Sequence, residues 1–158
     1  MKKFILYSGA LIGLDQLTKY LVTANLFQGE SLTLAPFLNL VYVVNTGVAF
    51  SMFRGFSGSN TVFTLFSFTA VSVALLWYLK NRRRVPQYLK LPLLLVFSGA
   101  VGNLIDRIAR GGVVDFIDFS IGSYHWPAFN VADSCITIGA VLLIIDFMIS
   151  GKPKNEAR

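Results

Sequence analysis

Four apolar segments, each close to twenty residues long, dictate the solvent in which this chain folds. About 30 Å of hydrocarbon, crossed at about 1.5 Å per helical residue, requires roughly 20 mostly apolar residues. The segments run from about Phe4 to Ala24, Asn60 to Leu79, Leu91 to Ala109 and Val131 to Ile149, and each predicts a membrane-spanning helix. Only 14% of the residues are charged and 54% are hydrophobic, whereas a soluble domain carries about a quarter charged residues. The expected fold is an all-α membrane bundle of four transmembrane helices forming one integral domain over residues 1–158.

The first segment has features of a cleaved signal peptide, with Lys2 and Lys3 before an apolar run from Phe4 to Leu14. The run continues past Asp15 and Lys19 to Val22 without a small-residue cleavage site, which favours a retained helix. Basic residues flank the cytoplasmic ends of membrane spans. Lys2 and Lys3 precede the first span, Lys80, Arg82, Arg83, Arg84 and Lys90 fill the loop between the second and third, and Lys152, Lys154 and Arg158 follow the fourth. Four crossings put these ten of fourteen basic residues on one side, so both termini are expected in the cytoplasm. The net charge of +6 is thereby a topology signal. The loop is too short for a nucleic-acid module, and no nucleic-acid partner is expected.

Two segments fall outside. In the longer, about Asn25 to Ser59, Phe37 to Val44 reads as a β-rich run, with Pro36 before it and Asn45-Thr46-Gly47 as a turn after it. Val48 to Phe53 is a candidate partner strand. A small extracytoplasmic sheet on the membrane surface is expected, and Phe27, Phe37, Tyr42, Phe50, Phe53 and Phe56 suit an interface. The second outer segment, about Arg110 to Asn130, is expected to be a short loop or helix between the third and fourth spans.

A charge at the bilayer centre costs roughly 3 kcal/mol on insertion scales, so each intramembrane charge needs a reason. Asp15 and Lys19 lie in the outer half of the first span, Asn103, Asp106 and Arg107 near the outer end of the third, and Asn130 and Asp133 at the start of the fourth. Asp115 lies just beyond the third. Bland roles exist. Asp15 and Lys19 are four apart and can pair, Asn130 can cap a helix whose first turn suits the Asp133 carboxylate, and Asp118 reads as a solvated loop acid. Asp146 stands apart, near the inner end of the fourth span.

Elimination narrows the chemistry. One histidine, His125, and one cysteine, Cys135, fall short of a zinc site, which takes three or four protein ligands. No metal or other cofactor is expected. A serine route through Gly55-Phe56-Ser57-Gly58 has only His125 as base and sits in a loop, and no phosphate-binding glycine loop is present. Cys135 reads as a small packing residue. A carboxylate pair remains. Two close carboxyls share one proton, so one can activate water while the other hydrogen-bonds a scissile carbonyl. Asp115 and Asp133, eighteen residues apart, fit that role, since an outer loop of this length can return to the mouth of a bundle. The competing class is a small transport or binding protein with an intramembrane carboxylate site. Four spans without repeat symmetry make a poor transporter, and the charges cluster on one side. A non-enzymatic scaffold has no use for clustered aspartates.

Five segments carry a resemblance. Leu14-Asp15-Gln16-Leu17-Thr18-Lys19, Asn45-Thr46-Gly47-Val48-Ala49-Phe50, Gly99-Ala100-Val101-Gly102-Asn103-Leu104-Ile105-Asp106-Arg107, Val113-Val114-Asp115-Phe116 and Phe129-Asn130-Val131-Ala132-Asp133-Ser134 resemble, in order, the motifs of bacterial lipoprotein signal peptidases (signal peptidase II). Val48 and Val101, where the family often has Ala and Leu, are mild departures. The resemblance implies a metal-free aspartic endopeptidase of the bacterial inner membrane, with its site near the extracytoplasmic face. It would remove the signal peptide from diacylglyceryl-modified prolipoproteins, cutting just before the lipidated cysteine. It further implies Asp115 and Asp133 as the catalytic pair, with Asp15, Lys19, Asn45, Gly47, Asn103, Arg107 and Asn130 supporting the site or contacting substrate. Globomycin-type inhibitors would occupy the dyad. Membrane lipids are the expected surroundings and a monomer the expected state. A signal-peptide helix is expected to lie between spans, with Gly99 and Gly102 allowing its close approach.

Overall fold

The protein is described by a computed structural model over residues 2–47 and 58–150. Four long helices carry the chain: α1 (Lys2–Asn25), α2 (Ser59–Asn81), α3 (Lys90–Arg110) and α4 (Val131–Ser150). Each lies within two residues of the bounds expected from the apolar segments. By length and composition, α2, α3 and α4 are apolar enough to cross a membrane. A single 3-10 turn, Gln87–Leu89, leads into α3. Pro92 falls in the first turn of α3, where its missing N–H has no helical partner to lose. Gly111 ends the helix in the left-handed region, at φ 74°, a conformation for which glycine bears no Cβ penalty.

The bundle is inside out. Its lipid-sized outer faces expose Leu65, Phe66, Leu76, Phe147 and Met148, an apolar surface far larger than a soluble monomer shows. Its most deeply buried side chains are mostly polar. Lys19, Asn130, Asp15, Asp106 and Ser98 are among its largest wholly buried side chains, with Val114 the apolar exception. On α1 the buried residues Ser8, Asp15, Lys19 and Val22 form one helical stripe. Helix α3 is central and packs against the other three. At one end Phe4 stacks on Tyr78 with ring centroids 4.3 Å apart and touches Phe97 at 5.7 Å, tying α1, α2 and α3.

Close approach of α3 to α4 and α1 depends on glycine. A Cβ on Gly99 would lie 2.2 Å from the Ala132 carbonyl oxygen, and one on Gly102 would lie 2.6 Å from Asp15 Oδ2. The expectation that these glycines admit a substrate helix is therefore corrected. Their faces are occupied by α4 and α1, because a polar core needs backbones near enough for short side chains to meet.

A four-stranded antiparallel sheet, ordered β1-β2-β3-β4, joins the helices: β1 (Ser31–Ala35), β2 (Leu38–Asn45), β3 (Val113–Ile121) and β4 (Tyr124–His125). The Phe37–Val44 run is a strand as expected. The segment between α3 and α4 is not the expected loop or helix. Its Val113-Val114-Asp115-Phe116-Ile117-Asp118-Phe119 run is β-branched and aromatic, and it pairs with β2 (Val44↔Val114, Leu40↔Ile117), where such side chains pack well. The candidate strand Val48 to Phe53, the aromatics Phe50, Phe53 and Phe56, and Gly55 to Ser57 lie outside the described residues. Asp118 is also corrected. It is 7% exposed, not a solvated loop acid, because β3 places it between Asn39 and His125.

Candidate active site

Where the sheet meets the helix ends, a cavity of about 560 Å³ opens. Its walls come from β2 (Val43, Asn45), β3 (Val113, Asp115), α2 (Phe66, Ser67, Ala70), α3 (Ala100, Asn103, Arg107), α4 (Asp133, Ile136, Thr137) and the segment Trp126 to Phe129. Asp115 and Asp133 both line it, delivered from different elements. Asp115 faces the cavity because β3 pairs it with Val43, and cross-strand partners share a face. Asp133 sits in the first turn of α4, near the positive end of the helix dipole.

Asparagines hold the pair. Asn130 Nδ2 donates to Asp115 Oδ1 at 2.8 Å, and Asn45 Nδ2 donates to Asp115 Oδ2 at 3.2 Å. Asn103 Nδ2 donates to Asp133 Oδ1 at 2.7 Å. Asn130 Oδ1 accepts the Asp133 amide at 2.9 Å, while Asp133 Oδ2 accepts the Asn130 amide at 3.3 Å. This reciprocal arrangement has the form of a capping box. The capping role of Asn130 and Asp133 and their place in the cavity thus coexist. Gly47 lines the cavity and donates its amide to Asn45 Oδ1 at 3.0 Å, which orients the Asn45 side chain.

Burial pushes the Asp115 carboxyl up to about 7, and the nearby negative charge of Asp133 adds to the rise. The hydrogen bonds from Asn45 and Asn130 and the charge of Lys19 oppose it without cancelling it. A carboxyl in that position holds a proton close to neutral pH.

Beneath the pair lies a charged network. Lys19 Nζ is 2.9 Å from Asp15 Oδ2, 2.9 Å from Asp106 Oδ2 and 3.1 Å from Asn103 Oδ1, so its three donors meet three acceptors. Asp15 Oδ1 accepts the Ala132 amide at 2.9 Å, and Asp106 Oδ2 accepts the Val114 amide at 3.0 Å. Asp106 Oδ1 accepts from Gln16 Nε2 at 3.1 Å and pairs with Arg110. Asp15 and Lys19 pair as expected, and the same carboxylates also clamp the starts of α4 and β3. Arg107 lines the cavity, and its charge interacts with Asp133, Asp115 and Asp106.

All nine expected residues therefore converge: six line the cavity, Asn130 and Lys19 hydrogen-bond to residues that do, and Asp15 lies one step below. Sequence reasoning undervalued Asp106, Arg110 and Gln16. Asn103, Asp106, Arg107 and Arg110 stand at helical spacing in the last two turns of α3, a pattern that could have marked the face. Among the described residues no group of three or more His, Cys, Asp or Glu could hold a metal ion.

Comparison with known proteins agrees. The family model described as "Signal peptidase (SPase) II" matches residues 7–149. The lipoprotein signal peptidase of Alteromonas mediterranea is 42% identical over 98% of this chain and 85% of its own length. That of Desulforapulum autotrophicum is 43% identical over 96% and 94%, and that of Shewanella baltica strain OS155 is 48% identical over 90% and 84%. A bacterial membrane enzyme solved by the in meso method at 2.3 Å resolution superposes with a TM-score of 0.85 at 33% identity, covering 100% of this chain and 94% of that one. With the family model, the relatives' sequences and the fold in agreement, the chain belongs to the signal peptidase II family of membrane aspartic peptidases.

Proposed function

We propose that Asp115 and Asp133 are the catalytic pair of an endopeptidase that frees signal peptides from diacylglyceryl-modified prolipoproteins, cutting just before the lipidated cysteine. The observation that carries this reading is the clamp of Asn130 on both aspartates at the wall of one cavity.

Asp115, held up at about 7, carries the shared proton and hydrogen-bonds the scissile carbonyl. Asp133 takes a proton from a water, whose oxygen attacks the carbonyl carbon as Asp115 gives its proton to the carbonyl oxygen. The gem-diol then collapses as Asp133 passes its proton to the leaving cysteine nitrogen and a diol hydroxyl returns a proton to Asp115. The C–N bond breaks, the signal peptide leaves as a carboxylic acid, and no metal or covalent intermediate is required.

All four helices span the bacterial inner membrane as one domain, with both termini and the Arg82–Arg84 loop cytoplasmic. The sheet then lies at the extracytoplasmic face, where lipid acyl chains set the depth of the scissile bond. Phe66, Ser67 and Ala70 of α2 and Ile136 and Thr137 of α4 line the cavity, so a signal-peptide helix reaches the pair from between these helices. The enzyme works as a monomer, and globomycin-type inhibitors bind over the dyad.

The test is cleavage of a lipid-modified precursor by the purified protein, beside Asp115→Asn and Asp133→Asn. Both variants should be inactive; full activity in either overturns the assignment. A precursor without lipid should be cut poorly, and equal rates would remove the depth argument.

A further inference from the structure

On the sheet face away from the dyad, one side chain from each strand joins a hydrogen-bonded line. Thr33 Oγ1 of β1 donates to Asn39 Oδ1 of β2 at 2.9 Å. Asn39 Nδ2 donates to Asp118 Oδ2 of β3 at 2.9 Å. His125 Nδ1 of β4 lies 2.8 Å from the same oxygen. Thr33↔Asn39 and Asn39↔Asp118 are direct cross-strand partners. Asp118 is three residues from Asp115, so alternation puts the two on opposite faces of β3.

The chemistry of the dyad uses none of these four groups, yet the line ends beside the cavity. Strand β4 has only two residues, and so short a strand has little ladder of its own to hold it. Trp126, Pro127, Ala128 and Phe129 follow at once and form a cavity wall. The Trp126 amide donates to the Phe119 carbonyl at 2.7 Å and the Phe129 amide to the Ile117 carbonyl at 3.0 Å. Between them Pro127 has no N–H to give, so the start of the wall depends on where β4 is held. His125 Nδ1 lies within hydrogen-bond distance of the buried Asp118 side chain, and this contact ties β4 to β3.

We infer that the Asp118–His125 pair is a latch that positions the Trp126–Phe129 wall and thereby sets affinity for the prolipoprotein, leaving the bond-breaking step to the aspartates. His125 and Asp118 are positioning residues in this scheme. The inference rests on the proposed reading of the cavity as the substrate site.

The test uses the full chain in lipid, with a diacylglyceryl-modified precursor. His125→Ala should raise KM by about fivefold to tenfold, the loss of one hydrogen bond, with kcat within about twofold. Amide hydrogen exchange at Trp126 should accelerate in the same variant. His125→Asn, whose Nδ2 can take the place of Nδ1, should return both readouts to those of the unaltered protein. Either readout unchanged in His125→Ala, a fall in kcat with KM unchanged, or failure of His125→Asn to restore them overturns the latch. If the unaltered protein itself does not cleave, the peptidase reading fails, and Trp126 exchange still decides the latch.

Discussion

Asn130 donates through Nδ2 to Asp115 Oδ1 at 2.8 Å, and its own carbonyl oxygen caps α4 at the Asp133 amide. One side chain thus fixes both aspartates and starts a helix. Asn130→Ala should destabilise by about 1 kcal/mol through the lost cap and slow cleavage by about a hundredfold through misplacement of the pair. Asn130→Ser keeps a capping oxygen but is too short to reach Asp115. Thermal unfolding should recover in the serine variant while turnover does not.

The pH dependence follows from Asp115. Its carboxyl keeps a proton up to about 7, and a dyad with both groups ionised has lost its acid. The profile of kcat/KM should therefore fall as pH rises through about 7. The Asn45 hydrogen bond favours the ionised form, so Asn45→Ala should move that limb to higher pH. A limb that stays in place or moves down would count against the assignment.

Stability carries the same signature. Between about pH 4 and 7 the unfolded chain gives up the Asp115 proton while the folded protein keeps it. The contribution of Asp115 to stability thus declines as pH rises through that window. Asp115→Asn should raise the unfolding temperature above pH 7 and leave it unchanged below about pH 4.

Lys19 is wholly buried between Asp15 and Asp106. Lys19→Met leaves two buried carboxylates without their shared cation and should cost about 3–5 kcal/mol. The expected outcome is loss of folded protein, read as rapid proteolysis in mild detergent. Adding Asp106→Asn should recover part of it.

Gly99→Ala drives a methyl into the Ala132 carbonyl. It should separate α3 from α4, carry Asp133 away from Asn103 and reduce both stability and cleavage. Gly9→Ala on exposed α1 meets nothing within 4 Å and should be neutral or stabilising by about 0.5–1 kcal/mol. Equal thermal shifts in the two variants would contradict the packing account.

The helices were legible because lipid imposes one rule on every residue: a run of apolar side chains long enough to cross forms a helix to satisfy its own backbone. That rule is met by α2, α3 and α4, and the apolar segments lie within two residues of the bounds of all four helices. The sheet was half legible. The Phe37–Val44 run stands out, but Val113–Ile121 falls inside the short connection from about Arg110 to Asn130, which reads as a loop or helix. Its partner, β2, is some seventy residues away, and no local pattern announces a pairing across that distance.

The sequence by itself pointed to a membrane protein, to the helices and, through the motifs, to nine residues that gather around one cavity, since composition, charge placement and motifs are read locally. Only the tertiary structure decided how those residues serve one another. Lys19 joins α1 to α3, Asn130 joins the start of α4 to β3, and Asp118 reaches across the sheet to His125. Each is a contact a few ångströms long between separate elements of the fold. Such contacts are set by where glycines let α3 approach α4 and α1 and by the β2–β3 register, and these are properties of packing.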